Sequence, residues 1–146
     1  MKSKEKFNET FIYDESATER AALTVEPRFG SFLLSVMGKG HLVLDVGCGT
    51  GRYSIHTKNA GNTVIGSELV FSAAAGAKKR GLDVLVADSE TTFPFADAQF
   101  DRVQCIEVIE HLMDPVATLK EINRVLKPGG EIFISTPNAA WWAHRF

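Results

Sequence analysis

Cysteine is scarce in this chain. The two present, Cys48 and Cys105, form neither a C-x-x-C pair nor the spacing of a ligand set, which excludes a disulfide framework and a cysteine-built metal site. Both read as small reduced core thiols. An excess of charge of either sign is missing as well: 16 Lys and Arg against 18 Asp and Glu leave a net charge of −2. That balance offers no electrostatic footing for nucleic acid or for an anionic membrane. No apolar run approaches bilayer-spanning length, and the charged start Met1-Lys2-Ser3-Lys4-Glu5-Lys6 is followed by no apolar stretch of the signal-peptide kind. A cytoplasmic location without membrane insertion is the resulting expectation. Repeats, linkers and low-complexity tracts are absent too. What is there, 146 residues with 45% hydrophobic and 23% charged content, describes one soluble domain with its own core.

The informative stretch is Leu42-Val43-Leu44-Asp45-Val46-Gly47-Cys48-Gly49-Thr50-Gly51-Arg52-Tyr53-Ser54, which reads as strand, glycine turn and helix. Glycines at 47, 49 and 51 permit positive φ and let a ligand lie against bare backbone, while the free N–H groups of the helix start add a polar cradle. A dinucleotide fingerprint, G-x-G-x-x-G, places its third glycine where this chain has Arg52. Asp45 adds a carboxylate two residues before Gly47, a position that repels a pyrophosphate and favours a cationic, phosphate-free ligand. S-adenosylmethionine (SAM), with an ammonium and a sulfonium, is such a ligand. V-L-D-V-G-C-G-T-G resembles the first motif of the class I SAM-dependent methyltransferases.

Further along, Pro27 opens a helix whose Phe29, Phe32, Leu33, Val36 and Met37 form an apolar stripe, ended by Gly38 and Gly40. A shorter helix is expected over residues 16–25, and Phe7 and Phe11 are candidates to pin the polar start. After the glycine turn, a helix over about 50–59 precedes a second strand at 63–67 that ends on Glu68. This residue lies 21 positions after Gly47, near the interval at which doubly wound folds set an acidic group on a ribose diol. A helix over 70–80 and a third strand over 83–87 follow, with Asp88 and Ser89 at the strand's end. Phe93-Pro94-Phe95-Ala96-Asp97-Ala98-Gln99-Phe100-Asp101 resembles the family's loop into strand four, which runs over 102–106. Asp114 and Pro115 start a helix with the stripe Val116, Leu119, Ile122, Val125 and Leu126. Lys127-Pro128-Gly129-Gly130 stops it before strand five at 131–136.

Strands alternating with helices imply an α/β, doubly wound, Rossmann-like parallel sheet. The resemblance, which covers about residues 41–138, implies strand order 3-2-1-4-5 with the ligand crevice at the carboxyl ends of strands one and four. It divides the chain into an N-terminal helical cap, residues 1–40, and a SAM-binding core, 41–146, within one domain. It also implies that SAM is contacted by Asp45, Gly47, Cys48, Gly49, Gly51, Glu68, Leu69, Asp88, Ser89 and Glu107. Asp88 would accept from the exocyclic amine of adenine and the Ser89 N–H would meet a ring nitrogen, with helix capping by Asp88 as the alternative.

Methyl transfer from a sulfonium needs chiefly an in-line acceptor, and Glu107, Glu110 and His111 follow strand four where that acceptor would stand. Their E-x-x-E-H spacing resembles the O-methyltransferases of ubiquinone biosynthesis and, more distantly, the small-RNA 2′-O-methyltransferases, which hold magnesium with such residues. Three roles stay open for this trio: ligands to a divalent metal, a general base in His111, or capping of the loop. His144 is the one histidine available beyond strand five. His41 and His56 read as surface residues.

Family members continue after strand five with a helix and an antiparallel strand pair, whereas this sequence ends ten residues after Thr136. The expected sheet therefore lacks that pair, and Trp141 and Trp142 lie in an open tail. The sequence is then a fragment, or a homodimer partner or another subunit covers the strand-five edge. The leading expectation is a SAM-dependent methyltransferase acting on a small molecule, at oxygen. A SAM-binding module without activity of its own is the alternative. A nicotinamide oxidoreductase is disfavoured by Arg52 and Asp45.

Overall fold

The computed structural model describes residues 25–137. The helix expected over 16–25 falls almost wholly outside the described residues, as do Phe7, Phe11, Trp141, Trp142 and His144. Helix α1 spans Pro27–Met37, where the Glu26 carboxylate caps the Phe29 N–H at 2.7 Å and proline takes the first position. There follow β1 (Leu42–Val46), α2 (Arg52–Asn59), β2 (Thr63–Glu68), α3 (Phe71–Lys79), β3 (Asp83–Val86), β4 (Phe100–Ile106), a 3-10 turn (Ile109–His111), α4 (Pro115–Val125) and β5 (Leu126–Ser135). The strands form one sheet in the order β3-β2-β1-β4-β5, with every pairing parallel, as expected.

Side chains alternate across each strand, so the sheet has two covered faces. On one, Leu33 and Met37 of α1 and Ala74 and Ala77 of α3 pack on Val43, Val64, Val84, Ile106 and Phe133. On the other, Ile122 and Val125 of α4 meet Leu44, Val46, Val103 and Cys105, joined by Phe93 and Phe100. At about 25 cal/mol per Å² of apolar surface removed from water, these two layers supply the main force holding the strands together.

Four expectations need correction. No helix joins β3 to β4. Residues 87–99 instead cross the sheet as a chain of turns, because Phe93 is drawn into the core and Phe95 stacks edge-on against Phe100 at 5.0 Å. The α4 stripe is rotated: Val116 and Leu119 stay exposed, whereas Thr118 is buried. Its hydroxyl donates to Ser89 O at 2.9 Å, which turns this face inward. Strand five begins at Leu126 rather than Glu131, since Lys127, Pro128 and the two glycines form an irregularity between the Phe100–Leu126 and Arg102–Glu131 pairs, with Gly129 at φ +77°. Phe32, placed in the α1 stripe, is 63% exposed although its ring lies 5.6 Å from that of Phe133.

Candidate functional site

The turn between β1 and α2 is built from three glycines at φ +69°, +55° and +86° (Gly47, Gly49 and Gly51). They do different work. A Cβ on Gly47 would stand 2.5 Å from Val108, and one on Gly51 would stand 2.4 Å from Leu82, so these two let the loop pack closely. A Cβ on Gly49 would meet nothing within 4 Å. Open space therefore lies over the middle of the turn, against backbone that carries no side chain. Gly51 N donates to Cys48 O at 2.9 Å, and Cys48 N donates to Ser67 O at 3.0 Å, so the turn is tied to itself and to β2.

Glu68 closes the turn from the end of β2. Its Oε2 accepts from the Gly49 N–H and its Oε1 from the Val70 N–H, both at 2.8 Å, and it is 9% exposed. Each oxygen keeps a further lone pair for a hydroxyl donor. Beside it Leu69 is 62% exposed and Val86 half-exposed, an apolar shelf at the carboxyl ends of β2 and β3. A carboxylate that takes a diol, a bare loop and an apolar shelf suit a nucleoside, so the residues present fit the adenosine half of SAM.

Asp45 is placed differently from an exposed charge at the mouth. It is 2% exposed, and its Oδ2 accepts from Ser54 Oγ of α2 at 2.5 Å and from Gln104 Nε2 of β4 at 2.7 Å. Gln104 in turn accepts from Thr57 Oγ1 at 2.7 Å, so four buried polar side chains join β1, α2 and β4 beneath the turn. Burial pushes the Asp45 carboxyl up to about 7, opposed by the Ser54 and Gln104 hydrogen bonds. Burial likewise raises both thiols, that of Cys105 to about 12, so neither cysteine is a thiolate nucleophile at neutral pH. Cys48 turns its sulfur inward beside Gly66 and presents backbone to the turn.

The turn after β3 is made by Asp88, whose Oδ1 accepts from Glu90 N at 2.9 Å and whose carbonyl accepts from Thr91 N and Thr91 Oγ1. Asp88 and Ser89 are half-buried. The loop beyond is clasped to α4: Glu121 accepts from Phe93 N at 2.9 Å, and Arg124 donates to Phe93 O, Phe95 O, Asp97 and Glu121.

On the acceptor side, Glu107 takes φ +56°, a left-handed conformation uncommon for a side chain larger than glycine. Its N–H donates to Ser135 O at 3.0 Å, and its Oε1 accepts from Ser135 Oγ at 2.9 Å. Glu107 is thereby held toward β5, while Glu110 and His111 sit on the 3-10 turn with His111 Nε2 3.9 Å from Glu110 Oε1. The trio is not brought together. Among the described residues, no group of three or more His, Cys, Asp or Glu is assembled for a metal ion. Also among the described residues, no helix is long and apolar enough to cross a membrane. His56, read as a surface residue, lies half-buried with its ring against Gly30.

Sequence reasoning passed over Gln104, Ser54, Thr57, Val108, Glu121 and Arg124. A signal existed for one of them: Gln104 is the lone polar residue in Val103-Gln104-Cys105-Ile106.

With this geometry in view, likenesses to known proteins acquire meaning. A family described as a methyltransferase domain matches residues 44–134. The ubiquinone biosynthesis O-methyltransferase of Pseudomonas paraeruginosa is 36% identical over 113 residues, which is 73% of this chain and 49% of the relative. The chain thus spans about half the length of the curated relatives it matches. Among solved structures, a protein of Pyrococcus horikoshii aligns at TM-score 0.70 and 27% identity, covering 77% of this chain and 59% of that one. A SAM-dependent methyltransferase of Thermotoga maritima aligns at TM-score 0.69 and 28% identity, covering 80% and 54%.

Proposed function

The chain belongs to the class I SAM-dependent methyltransferase family, and we propose from that premise that it transfers the methyl group of SAM to a small-molecule acceptor, at oxygen. The observation that carries the cofactor half of this reading is the open space over Gly49, flanked by the Glu68 carboxylate and the Leu69 shelf. When bound, SAM supplies a methyl already activated on its sulfonium. The residues have the remaining tasks. Gly47, Cys48, Gly49 and Gly51 offer backbone to the methionine part, and Glu68 accepts from the ribose hydroxyls. Leu69, Asp88 and Ser89 receive the adenine. Asp45 acts through Ser54 and Gln104 to hold the turn in shape.

His111, 70% exposed at its side chain, is the candidate general base for an acceptor hydroxyl, with Glu110 beside it and Glu107 shaping the exit of β4. Oxygen as the acceptor atom is favoured by the likeness to the ubiquinone biosynthesis O-methyltransferases and by the need that a hydroxyl, unlike a softer nucleophile, has for such a base. A partner or second copy along β5 completes the proposal, because β5 pairs only with β4 among the described strands and leaves Ile134 exposed. The cytoplasm is the proposed location.

Calorimetry with SAM and S-adenosylhomocysteine (SAH), followed by measurement of SAH release with a panel of small hydroxyl-bearing acceptors, tests the reading. Binding with turnover supports it. Binding without turnover leaves the SAM-binding module. No binding to folded protein overturns both.

A further inference from the structure

Two loops of the crevice are joined by one carboxylate. Glu90, in the turn after β3, accepts at its Oε1 from the backbone N–H of Met113 at 2.5 Å and of Asp114 at 2.9 Å. These partners lie 23 and 24 residues further along, in the segment between the 3-10 turn and α4. We propose that Glu90 is a positioning residue for cofactor binding: by latching the Asp88 and Ser89 turn to the Met113 and Asp114 segment, it couples the adenine side of the crevice to the acceptor side. The inference rests on the SAM-binding reading above and adds to it a residue that touches neither the cofactor nor the acceptor.

The reason begins with what the segment needs. Met113 and Asp114 precede Pro115, the first residue of α4, so their N–H groups have no helical acceptor. Asp114 spends its own side chain on the Ala117 N–H. The Met113 side chain is 90% exposed and gives the segment no apolar anchor. The Glu90 carboxylate supplies what packing does not, and a charged acceptor shared by two consecutive donors is a stronger tie than a neutral one.

The other end of the latch is equally defined. Glu90 N donates to Asp88 Oδ1, Thr91 N and Oγ1 both bond Asp88 O, and Thr118 Oγ1 of α4 bonds Ser89 O. The two residues assigned to adenine are therefore fixed through their immediate neighbour. A shift of the Glu90 side chain changes the height of that turn relative to α4. Because Glu90 is exposed, its two bonds exchange readily with water and contribute little to global stability. Their value is geometric, which separates this role from a structural one.

Glu90→Ala and Glu90→Gln in the full chain test the proposal, read out by SAH calorimetry, by KM for SAM against kcat, and by amide hydrogen exchange at Met113 and Asp114. Glu90→Ala is expected to weaken SAH binding and raise KM for SAM about five- to tenfold, with kcat within about twofold and the melting temperature within about 2 °C. The Met113 and Asp114 amides should exchange faster in this variant, and SAH should slow them in the wild type. Glu90→Gln, which keeps an acceptor oxygen, should return affinity to within about twofold of wild type. SAH affinity in Glu90→Ala equal to wild type overturns the latch and leaves the methyltransferase reading standing. A wild-type protein that binds no SAH overturns that reading and the latch with it.

Discussion

Asp45 and Gln104 stand opposite each other in register across the β1–β4 pair, and Gln104 Nε2 donates to Asp45 Oδ2 at 2.7 Å with both side chains out of contact with solvent. An acidic residue near the carboxyl end of β1 is thus part of the sheet's interior. Its neighbours Ser54 and Thr57 carry the constraint into α2, the helix that the turn feeds.

That burial has a pH signature. Asp45 titrates at about 7 in the folded chain and near 4 once unfolded. Between these values the folded state holds a proton that the unfolded state has released, so this group's contribution to stability falls as pH rises from about 4 to about 7. The loss is at most about 4 kcal/mol, and it is complete above the folded value. Asp45→Asn preserves the acceptor oxygen and removes the titration. Urea midpoints of the two proteins at pH 4.5 and 7.5 are expected to diverge in the variant's favour at the higher pH; parallel curves would refute the assignment.

The three glycines of the turn should separate under substitution. Gly47→Ala places a Cβ against Val108 at a positive φ, and a loss of about 2–4 kcal/mol in folding stability is expected. Gly49→Ala pays only for its backbone, about 1–2 kcal/mol, since no neighbour obstructs it. Its Cβ projects into the open space assigned to SAM, where a clash worth roughly 3 kcal/mol corresponds to about a hundredfold weaker SAH binding. Chemical denaturation combined with calorimetry reads both quantities. Undiminished SAH affinity in Gly49→Ala would move the cofactor elsewhere.

The clasp on the loop between β3 and β4 makes its own prediction. Arg124 holds two carbonyls and two carboxylates in one planar fork, a pattern that a lysine ammonium cannot reproduce. Arg124→Lys is expected to expose residues 93–97 to limited proteolysis and to lower the denaturation midpoint. Phe93→Ala, which empties a site 2% exposed, should cost about 3–5 kcal/mol. A protease pattern unchanged in Arg124→Lys would show that the buried phenylalanines alone retain the loop.

For the chemical step, His111→Ala is expected to lower kcat about a hundredfold or more while leaving SAH affinity within about twofold. His111 stands on the exposed 3-10 turn, separate from the glycine turn after β1. Single-turnover kinetics at saturating SAM distinguish this from a binding defect. Retained turnover in the variant would return His111 to a capping role.

Much of the fold was legible in the chain because it depends on local pattern. Apolar runs of β-branched residues, the glycine turn and the Pro-led starts of α1 and α4 each declare an element within about ten residues, and an alternation of strand and helix broken between β3 and β4 leaves few topologies. Glu68 was readable too, since a strand end at a known interval is a local property. The α4 stripe was misjudged because Val116, Leu119 and Ile122 satisfy a helical period on their own, whereas the inward turn of Thr118 depends on Ser89 in a distant loop.

The residues alone therefore determined the elements, their alternation and the bare turn after β1, all consequences of backbone preference and hydrophobic period. Tertiary structure decided which way each polar group faces. Asp45 and Gln104 are 59 positions apart, and Glu90 and Met113 are 23 apart. No local period relates such pairs; parallel register and the packing of α4 against the β3 to β4 loop bring them within hydrogen-bonding distance.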